Sequence, residues 1–275
     1  MKTITTRIGQ AALIGVLLWG GGLTAAEKAG PLEARDPSFT TWEEAADHIA
    51  SLRNGAIELD DAVIRIEVNS TDQDAGFQIF LDGEGWRHVW VYGPDGRKVL
   101  QAASFSGVRE IGGGTELFLE TEEPEYESEE EFDDLIELLD EGEYRFLART
   151  TGNEWATGSA ELTHVVPAGP VLVYPVPGPG EECAQDVPAA GLVIDWDPVT
   201  TRIFGDPGIT IVAYEVIVES EDSGYDFDVI VGAGTTTMAV PFDFLQPGTE
   251  YGYEVLAIEE SGNQTITESC FITAE

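Results

Sequence analysis

Apolar and polar residues alternate with a period of two along most of the chain after residue 60, which predicts β-strands. The clearest runs cover residues 63–69, 77–81, 86–92, 98–102 and 144–148, and turn residues such as Gly93-Pro-Asp-Gly96 separate them. About seven such runs precede residue 166, the number found in an immunoglobulin-like sandwich. The pattern therefore predicts a first β-sandwich over residues 60–166.

Two short stretches have helical periodicity instead. Residues 41–44 (Thr-Trp-Glu-Glu) and 128–131 (Ser-Glu-Glu-Glu) have the form of capping boxes. Apolar residues follow each box at helical spacing, and after the second box they are Phe132, Leu135, Ile136 and Leu139. We predict one short N-terminal helix and one helix inserted in the first sandwich, with its apolar stripe against the sandwich and its acidic face in solvent.

The C-terminal part carries the most specific motifs. They are Trp196 in Trp-Asp-Pro, Tyr214 in Tyr-Glu-Val, and the stretch Leu245-Gln-Pro247-Gly-Thr-Glu-Tyr251. The last stretch predicts a tyrosine corner, in which a buried tyrosine hydroxyl bonds to the backbone just upstream. A shorter version, Leu139 to Tyr144, supports the first sandwich.

Together these residues resemble a fibronectin type III domain. The resemblance implies a second sandwich that serves as a spacer or as a contact module for proteins or polysaccharides, without catalytic residues. The whole chain is similar to exported bacterial proteins that place such a domain behind a β-rich one, and no activity follows from that similarity.

We therefore predict an all-β protein of two tandem sandwiches, the first immunoglobulin-like and the second of fibronectin type III type. The expected divisions are a signal peptide (1–26), an N-terminal segment with a short helix (27–59), the first sandwich (60–166), a Pro/Gly-rich linker (167–180) and the second sandwich (181–275). Prolines at 167, 170, 175, 177 and 179 mark the linker.

The N-terminus has the features of a secretory signal. Lys2 and Arg7 precede a mostly apolar run, and small residues end at Ala26. An uncleaved membrane anchor is the alternative, but the apolar run is short and interrupted by glycine. We favour cleavage and export to the periplasm, the cell surface or the medium, with no stable membrane insertion afterwards.

Charge narrows the choice of partners. The formal net charge is −39, and it becomes −41 without Lys2 and Arg7. Such a chain lacks the basic surface that binds nucleic acid or anionic lipid. An acidic, lysine-poor exported protein suits a salty exterior, where counterions screen self-repulsion.

Only two cysteines occur, Cys183 and Cys270, both in the C-terminal half. Export permits a disulfide between them, although two separate buried thiols remain the alternative. We favour the disulfide, which would tie the entry of the second sandwich to its last strand.

Residues 69–76 place oxygen-bearing side chains at alternate positions before a glycine, as calcium loops do. Asp72 and Asp74, with Asp82 and Glu84 shortly after, are the candidate ligands. The match is loose, because the twelfth position of an EF-hand loop falls on Leu81. Ordinary turn chemistry explains the same residues, and we favour it.

Trp86, Trp90 and Tyr92 fall at even spacing on one predicted strand. Exposed, this aromatic ladder would stack on sugar rings, and buried it would be core. We identify no catalytic residue and no required cofactor, with calcium the one possible ligand. The sequence therefore favours a non-enzymatic binding or spacer protein that mediates protein contacts, with an unknown protein or polysaccharide as its partner. A carbohydrate-binding accessory module and a calcium-dependent adhesion protein are the alternatives.

Overall fold

The computed structural model describes residues 39–178, 182–220 and 223–275. The predicted signal peptide and residues 27–38 lie outside the described part of the chain. Residues 40–275 form one compact unit. Within the described ranges, no helix is long and apolar enough to cross a membrane.

The elements of the fold follow in chain order. They are α1 (Trp42–Ala50), β1 (Ile57–Glu58), β2 (Asp61–Asn69), β3 (Asp74–Tyr92), β4 (Lys98–Ala103), α2 (Ser106–Glu110), β5 (Gly114–Glu120), α3 (Glu129–Ile136), β6 (Gly142–Thr150), β7 (Trp155–Leu162), β8 (Val171–Tyr174), β9 (Ala184–Val187), β10 (Val193–Asp197), β11 (Ile211–Ser220), β12 (Tyr225–Gly232), β13 (Thr237–Ala239), β14 (Glu250–Glu259) and β15 (Gln264–Thr273).

The first sandwich is organised around the long strand β3. Its first half pairs with β2 and β5, and its second half pairs with β4 and β6. β7 extends the second sheet from β6, and β1 runs parallel to β7 at its edge. The sequence pattern predicts two separate strands where the structure has one 19-residue strand that belongs to both sheets.

A register irregularity between Asp82 and Trp86 marks the place where β3 passes from one sheet to the other. Gly85 is required there, because a Cβ atom at this position would lie 1.9 Å from the carbonyl oxygen of Gly112. The chain can therefore change sheets without a loop.

The second sandwich repeats this arrangement. One sheet has the order β13-β10-β8, and the other has β12-β11-β14-β15 with β9 parallel to β15 at its edge. In the second sandwich, β8, β10 and β13 correspond to strands A, B and E, and β12, β11, β14 and β15 correspond to C′, C, F and G. In the first, β2, the first half of β3 and β5 correspond to A, B and E, and β4, the second half of β3, β6 and β7 correspond to C′, C, F and G. Both sandwiches therefore have the fibronectin type III arrangement of strands. The fold is thus all-β.

The residues that carry the fibronectin resemblance lie in the second core. Trp196 and Tyr214 are each 1% exposed, and their rings pack with centroids 5.4 Å apart. The Tyr251 hydroxyl accepts the backbone N–H of Gln246 at 2.8 Å and donates to the carbonyl of Phe244 at 3.3 Å. Leu245 is buried beside it, and Pro247 lies in the same turn.

The first sandwich has its own corner. The hydroxyl of Tyr144 donates to the carbonyl oxygen of Asp140 at 3.0 Å, and the side chain is 1% exposed. Helix α3 covers the connection between β5 and β6 with Phe132 and Ile136 buried, and the Ser128 hydroxyl caps its first turn. Capping box and apolar spacing correctly predict this helix.

The predicted linker differs from expectation in one respect, whereas the favoured disulfide next to it is present. Residues 171–174 form β8, which pairs with β10, so the second sandwich begins inside the segment 167–180. Prolines flank this strand on both sides and hide its alternation, which is why the sequence suggested a connection. Cys183 and Cys270 form a disulfide with Cα atoms 4.6 Å apart, where β9 runs beside β15.

The two sandwiches share a sheet. β15 of the second pairs in parallel with β2 of the first, in the register Gln264 with Glu67 and Ile266 with Asn69. The result is a continuous sheet in the order β5-β3-β2-β15-β14-β11-β12. Backbone hydrogen bonds therefore cross the junction.

Candidate functional site

The predicted calcium ligands do not converge. Asp72 and Asp74 lie at the turn between β2 and β3, whereas Asp82 and Glu84 lie further along β3. Eight residues of extended strand separate Asp74 from Asp82, a distance of about 26 Å. The four residues therefore cannot hold one ion, and the loop prediction is wrong in that respect. Asn69 organises the turn, since its Oδ1 accepts the N–H of Thr71 at 2.9 Å.

The aromatic ladder is also divided and buried. A register shift between Trp86 and His88 places Trp86 in the first core and Trp90 and Tyr92 on the other face of the sheet. The three side chains are 7%, 2% and 0% exposed. These residues form no sugar-stacking surface, because a β-bulge divides them between two faces of the sheet and all three side chains are buried.

Helix α1 covers the outer part of this ladder. The Trp42 ring lies 5.9 Å from the Tyr92 ring, and the His48 ring lies 5.4 Å from the Trp155 ring. The backbone N–H of Trp42 donates to the carbonyl of Gly96 at 2.9 Å. The helix thus belongs to the first sandwich, and these aromatic residues form a second apolar layer outside the main core.

The structure instead gathers acidic side chains on the outer face of the continuous sheet. In β2, Ile64, Ile66 and Val68 face the first core, so Arg65 and Glu67 face outward. The same alternation in the neighbouring strands defines an outer face that we call the acidic face. Its carboxylates are Glu67, Glu120, Glu215, Asp228, Glu254 and Glu268, and the glutamines Gln78 and Gln264 lie among them. This face extends across the junction of the sandwiches.

Three carboxylates on this face form an acidic cluster. Glu67 of β2, Glu120 of β5 and Glu123 of the following loop each offer an oxygen, and these oxygens lie within 4.8 Å of one another. The loop approaches the sheet closely over Gly76, where a Cβ atom would lie 2.9 Å from Glu123 Cγ. A larger residue at this position would displace the Glu123 side chain, so Gly76 allows the loop to lie against the sheet.

A polar network positions Glu120. Arg65 Nε donates to Gln78 Oε1 at 2.7 Å, which leaves the Gln78 amide nitrogen to donate to Glu120 Oε1 at 2.8 Å. Gln78 is 4% exposed, so its side chain is held in place. The other oxygen of Glu120, Oε2, is buried and accepts no hydrogen bond from the described residues.

The second sandwich contributes to the same cluster. The Gln264 amide nitrogen donates to Glu67 Oε2, which places the amide group beside the carboxylates. Gln264 is 2% exposed, and its Oε1 has no hydrogen-bond partner within the described ranges. The cluster thus includes buried oxygens from both sandwiches.

Burial and mutual repulsion alter the acidity of these groups. Burial raises the pKa of Glu67 to about 7, Glu120 adds to the rise, and Gln264 and Arg65 oppose it. Burial, followed by repulsion from Glu120 and Asp74, raises the pKa of Glu123 to about 7. Glu67 and Glu123 therefore resist ionisation at neutral pH in the absence of a positive charge.

The acidic face continues over the second sandwich. Burial raises the pKa of Glu254 to about 8, with repulsion from Glu268 and Glu219 as the next causes. Burial and Asp228 raise the pKa of Glu215 to about 7. Glu254 lies on β14 and Glu215 on β11, and each of these strands is paired on both sides within the sheet.

Asn263 joins the sandwiches just before β15. Its Oδ1 accepts the Ile66 N–H at 2.7 Å, and its Nδ2 donates to the carbonyls of Thr163 at 2.8 Å and Val165 at 2.9 Å. The side chain is 1% exposed. Its amide is therefore bonded to the first sandwich through both oxygen and nitrogen.

Apolar contact supplements these polar bonds. Phe204, which precedes β11, packs its ring 5.4 Å from Phe132 of helix α3 and 6.3 Å from Tyr126. The neighbouring Ile203 packs against the first core, and its N–H donates to the carbonyl of Val166 at 3.0 Å. The junction thus has an apolar part and a hydrogen-bonded part.

An open cleft of about 500 Å³ lies beside the corner of Tyr251. Its lining is Ser220, Ser223, Tyr225, Asp243, Phe244, Gln246, Thr249 and Tyr251. One carboxylate is present among these residues, and the Tyr251 hydroxyl is engaged in the corner. This lining does not bring together the acid and base pair that general acid–base catalysis needs.

Sequence reasoning missed the residues of the acidic cluster. Glu120 and Glu123 lie in a run of fifteen acidic residues between 116 and 143, which suggested a solvated surface. Glu67 and Gln264 are 197 positions apart, and pairing across that distance has no local signal. The outward position of Glu67 in an alternating strand was the one available indication.

No protein-family model and no curated protein sequence matches the chain. Among solved structures, it is similar to the FN1–FN3 domains of chicken CNTN1 at 11% identity, covering 80% of this chain and 65% of that one, with a TM-score of 0.33. A two-domain fibronectin type III segment of chicken tenascin aligns at 13% identity over 78% of this chain and 99% of that one, with a TM-score of 0.27.

A tetra-tandem repeat from a large adhesion protein aligns at 14% identity over 78% of this chain and 50% of that one, with a TM-score of 0.28. All three TM-scores are below 0.5. The assignment of the fold therefore rests on the strand arrangement described above.

Proposed function

We propose that this chain is an exported, non-enzymatic spacer and binding protein, which mediates protein contacts at the cell surface or in the periplasm. The observation that supports the proposal is the pairing of β2 with β15, which joins both sandwiches in one sheet. A spacer must hold its ends in a fixed relation, and this pairing provides such a relation.

Domains within one chain usually move relative to each other unless their interface is large or specifically bonded. Here the Ser70 N–H donates to the carbonyl of Ile266 at 2.9 Å, and the Thr265 hydroxyl donates to the carbonyl of Pro167 at 2.6 Å. Thr265 is fully buried. Breaking the junction would leave such groups without partners, which favours a rigid pair of sandwiches.

The disulfide supports the location outside the cytoplasm. Disulfides persist in oxidising compartments and are rare in the cytosol. The Cys183–Cys270 bond joins the short edge strand β9 to β15. Export itself requires the predicted signal peptide, which lies outside the described residues, so export is part of the proposal.

A protein partner has a suitable surface at the outer edge of the second sandwich. β12 is the last strand of the continuous sheet, and Tyr225 and Ile230 on it are 71% and 63% exposed. Terminal strands offer unpaired backbone groups to an added strand. We propose that the partner binds along β12.

Nuclear spin relaxation of backbone ¹⁵N tests the spacer. A rigid pair of sandwiches tumbles as one body, so both must fit a common rotational diffusion tensor. Two distinct correlation times, one for each sandwich, would refute the spacer.

Binding along β12 is tested separately by crosslinking in cells that export the protein. Ile230→Lys should abolish the adduct with the partner, whereas Val171→Lys should retain it, because Val171 is similarly exposed but lies on the other sheet. Equal adducts for both variants would exclude the β12 edge.

A further inference from the structure

We infer that Glu67, Glu120 and Glu123, together with Gln264, form a binding site for a calcium ion at the junction of the two sandwiches. The inference goes beyond the proposed spacer role, and it does not depend on it. It differs from the sequence-predicted loop, because none of the residues Asp72, Asp74, Asp82 and Glu84 belongs to the site.

The donor set suits calcium. Calcium takes six to eight oxygen ligands in flexible geometry, whereas magnesium demands near-ideal octahedral geometry and keeps much of its water. Each of the three carboxylates offers one oxygen to a common point, and Gln264 carries a further amide oxygen. The site contains oxygen donors alone, which disfavours zinc and other ions that prefer nitrogen or sulfur.

A second observation, independent of the acidic residues, also indicates a ligand. Gln264 is neutral and 2% exposed, yet its Oε1 meets no hydrogen-bond donor in the described parts of the chain. A buried acceptor that is left without a partner destabilises the folded state. The hydrogen bond from its amide nitrogen to Glu67 Oε2 places the amide group in contact with the cluster, so a cation bound there is the partner that the proposal gives to this oxygen.

The site is also partly organised in advance. Arg65 fixes Gln78, Gln78 fixes Oε1 of Glu120, and Oε2 of the same carboxylate is left buried without a donor among the described residues. The acidic residues of helix α3 offer a contrast. Glu129, Glu130 and Glu131 are exposed at the helix surface and do not converge on one point, so they form a solvated surface.

Because both sandwiches supply ligands to the site, a bound ion would strengthen the junction between them. Glu67 belongs to β2 and Gln264 to β15, so a bound calcium ion adds a bond between the two sandwiches. A ligand that binds the folded state raises stability in proportion to its concentration and affinity. Calcium should therefore raise the melting temperature and slow hydrogen exchange at the junction.

Isothermal titration of the purified protein with calcium, and in parallel with magnesium, tests the site. We expect one calcium ion per chain, with a dissociation constant of about 10⁻⁴–10⁻³ M, as in other extracellular modules, and weaker binding of magnesium. Glu123→Gln should weaken calcium binding roughly tenfold or more, because ligand charge sets affinity in such sites. Glu122→Gln is the matched control, since it removes the same charge from an exposed neighbour in the same loop.

A second variant tests the amide oxygen separately from charge, with an independent check of the fold. Gln264→Leu removes the amide oxygen without changing charge, and its calcium affinity should also fall, while circular dichroism reports whether the fold is kept. The absence of heat at millimolar calcium would overturn the site. Equal losses in Glu122→Gln and Glu123→Gln would also overturn it, because they would indicate diffuse screening. Tumbling as one body without calcium would leave the spacer proposal intact in either case.

Discussion

The Ile66 backbone N–H donates to Asn263 Oδ1 at 2.7 Å, which joins an interior strand residue of the first sandwich to a turn residue of the second. Asn263 imitates a neighbouring strand at the point where β15 begins, and the backbone pairing with β2 starts at the next residue. One side chain thus continues the hydrogen bonding of the sheet beyond its last paired residue.

Asn263→Ala should loosen the junction. The change leaves the Ile66 N–H and the Thr163 and Val165 carbonyls without this partner in a buried environment, and we expect a loss of about 2–4 kcal/mol in the free energy of unfolding. Calorimetry should show one unfolding transition for the original protein and two for the variant.

The control for this change is Asn54→Ala, at an exposed position outside the strands. It should alter stability by less than about 0.5 kcal/mol. A single transition at an unchanged temperature for Asn263→Ala would show that the two sandwiches do not depend on this side chain.

The two tyrosine corners should differ in strength. Tyr251→Phe removes an acceptor from the Gln246 N–H and a donor to Phe244, whereas Tyr144→Phe removes only a donor to Asp140. We expect losses of about 1–2 kcal/mol and about 0.5–1.5 kcal/mol respectively, measured by urea unfolding. Tyr251→Ala should cost about 3–5 kcal/mol, since it also removes a buried ring.

Tyr225→Phe serves as the control for both corners, because Tyr225 is 71% exposed and its change should have almost no effect. Equal stability of Tyr251→Phe and the original protein would contradict the corner, whatever the result for Tyr144→Phe.

Removal of the disulfide should destabilise the second sandwich. Its cysteines are 87 positions apart, and closing a loop of that length stabilises a protein by about 4 kcal/mol in the chain-entropy model. The double variant Cys183→Ala/Cys270→Ala should therefore unfold at clearly lower urea concentration. Reduction of the original protein should give the same midpoint, and an unchanged midpoint in both experiments would mean that the bond does not constrain the unfolded chain.

Stability should fall as the pH rises from about 5 to 8 in a chelating buffer. The pKa of Glu254 is about 8 in the folded protein, raised from 4.5. Between the unfolded and the folded pKa, the folded state therefore binds more protons than the unfolded state. The free energy of unfolding falls as the pH rises through this range, and the contribution of Glu254 is lost once the pH passes the folded pKa. The carboxylates that face Glu254 are Glu268, Glu219, Glu67 and Glu215.

Glu254→Gln isolates this contribution. The neutral side chain should raise stability at pH 8.5 by about 1–2 kcal/mol, while at pH 5 the two proteins should be similar. Glu250→Gln, an exposed residue on the same strand, should leave the pH dependence unchanged. A stability that rises with pH in the original protein would contradict the assigned acidity.

Local sequence signals predicted much of the fold. Helix α3 followed from its capping box and apolar spacing, and the second sandwich followed from Trp196 and the stretch around Tyr251. Each of these signals is short in sequence and requires no distant partner. They are for that reason visible before the structure is known.

The site could not be predicted in the same way. A bulge of one residue after Trp86 reverses the face of Trp90, and a strict period of two cannot show it. Asn263 and Gln264 follow Gly262 and read as turn residues, although they contact residues almost two hundred positions earlier. Glu123 joins the cluster through a loop, whose path depends on close approach over Gly76.

Hydrogen exchange of the Ile66 and Ser70 amides, followed by NMR, tests most directly whether the sandwiches share one sheet. The Ile66 N–H donates to Asn263 and the Ser70 N–H donates to the Ile266 carbonyl, both across the junction. We predict that both amides exchange as slowly as those in the centre of each sandwich, and that Asn263→Ala speeds their exchange selectively. Exchange in the original protein at the rate of an exposed sheet edge would contradict the shared sheet.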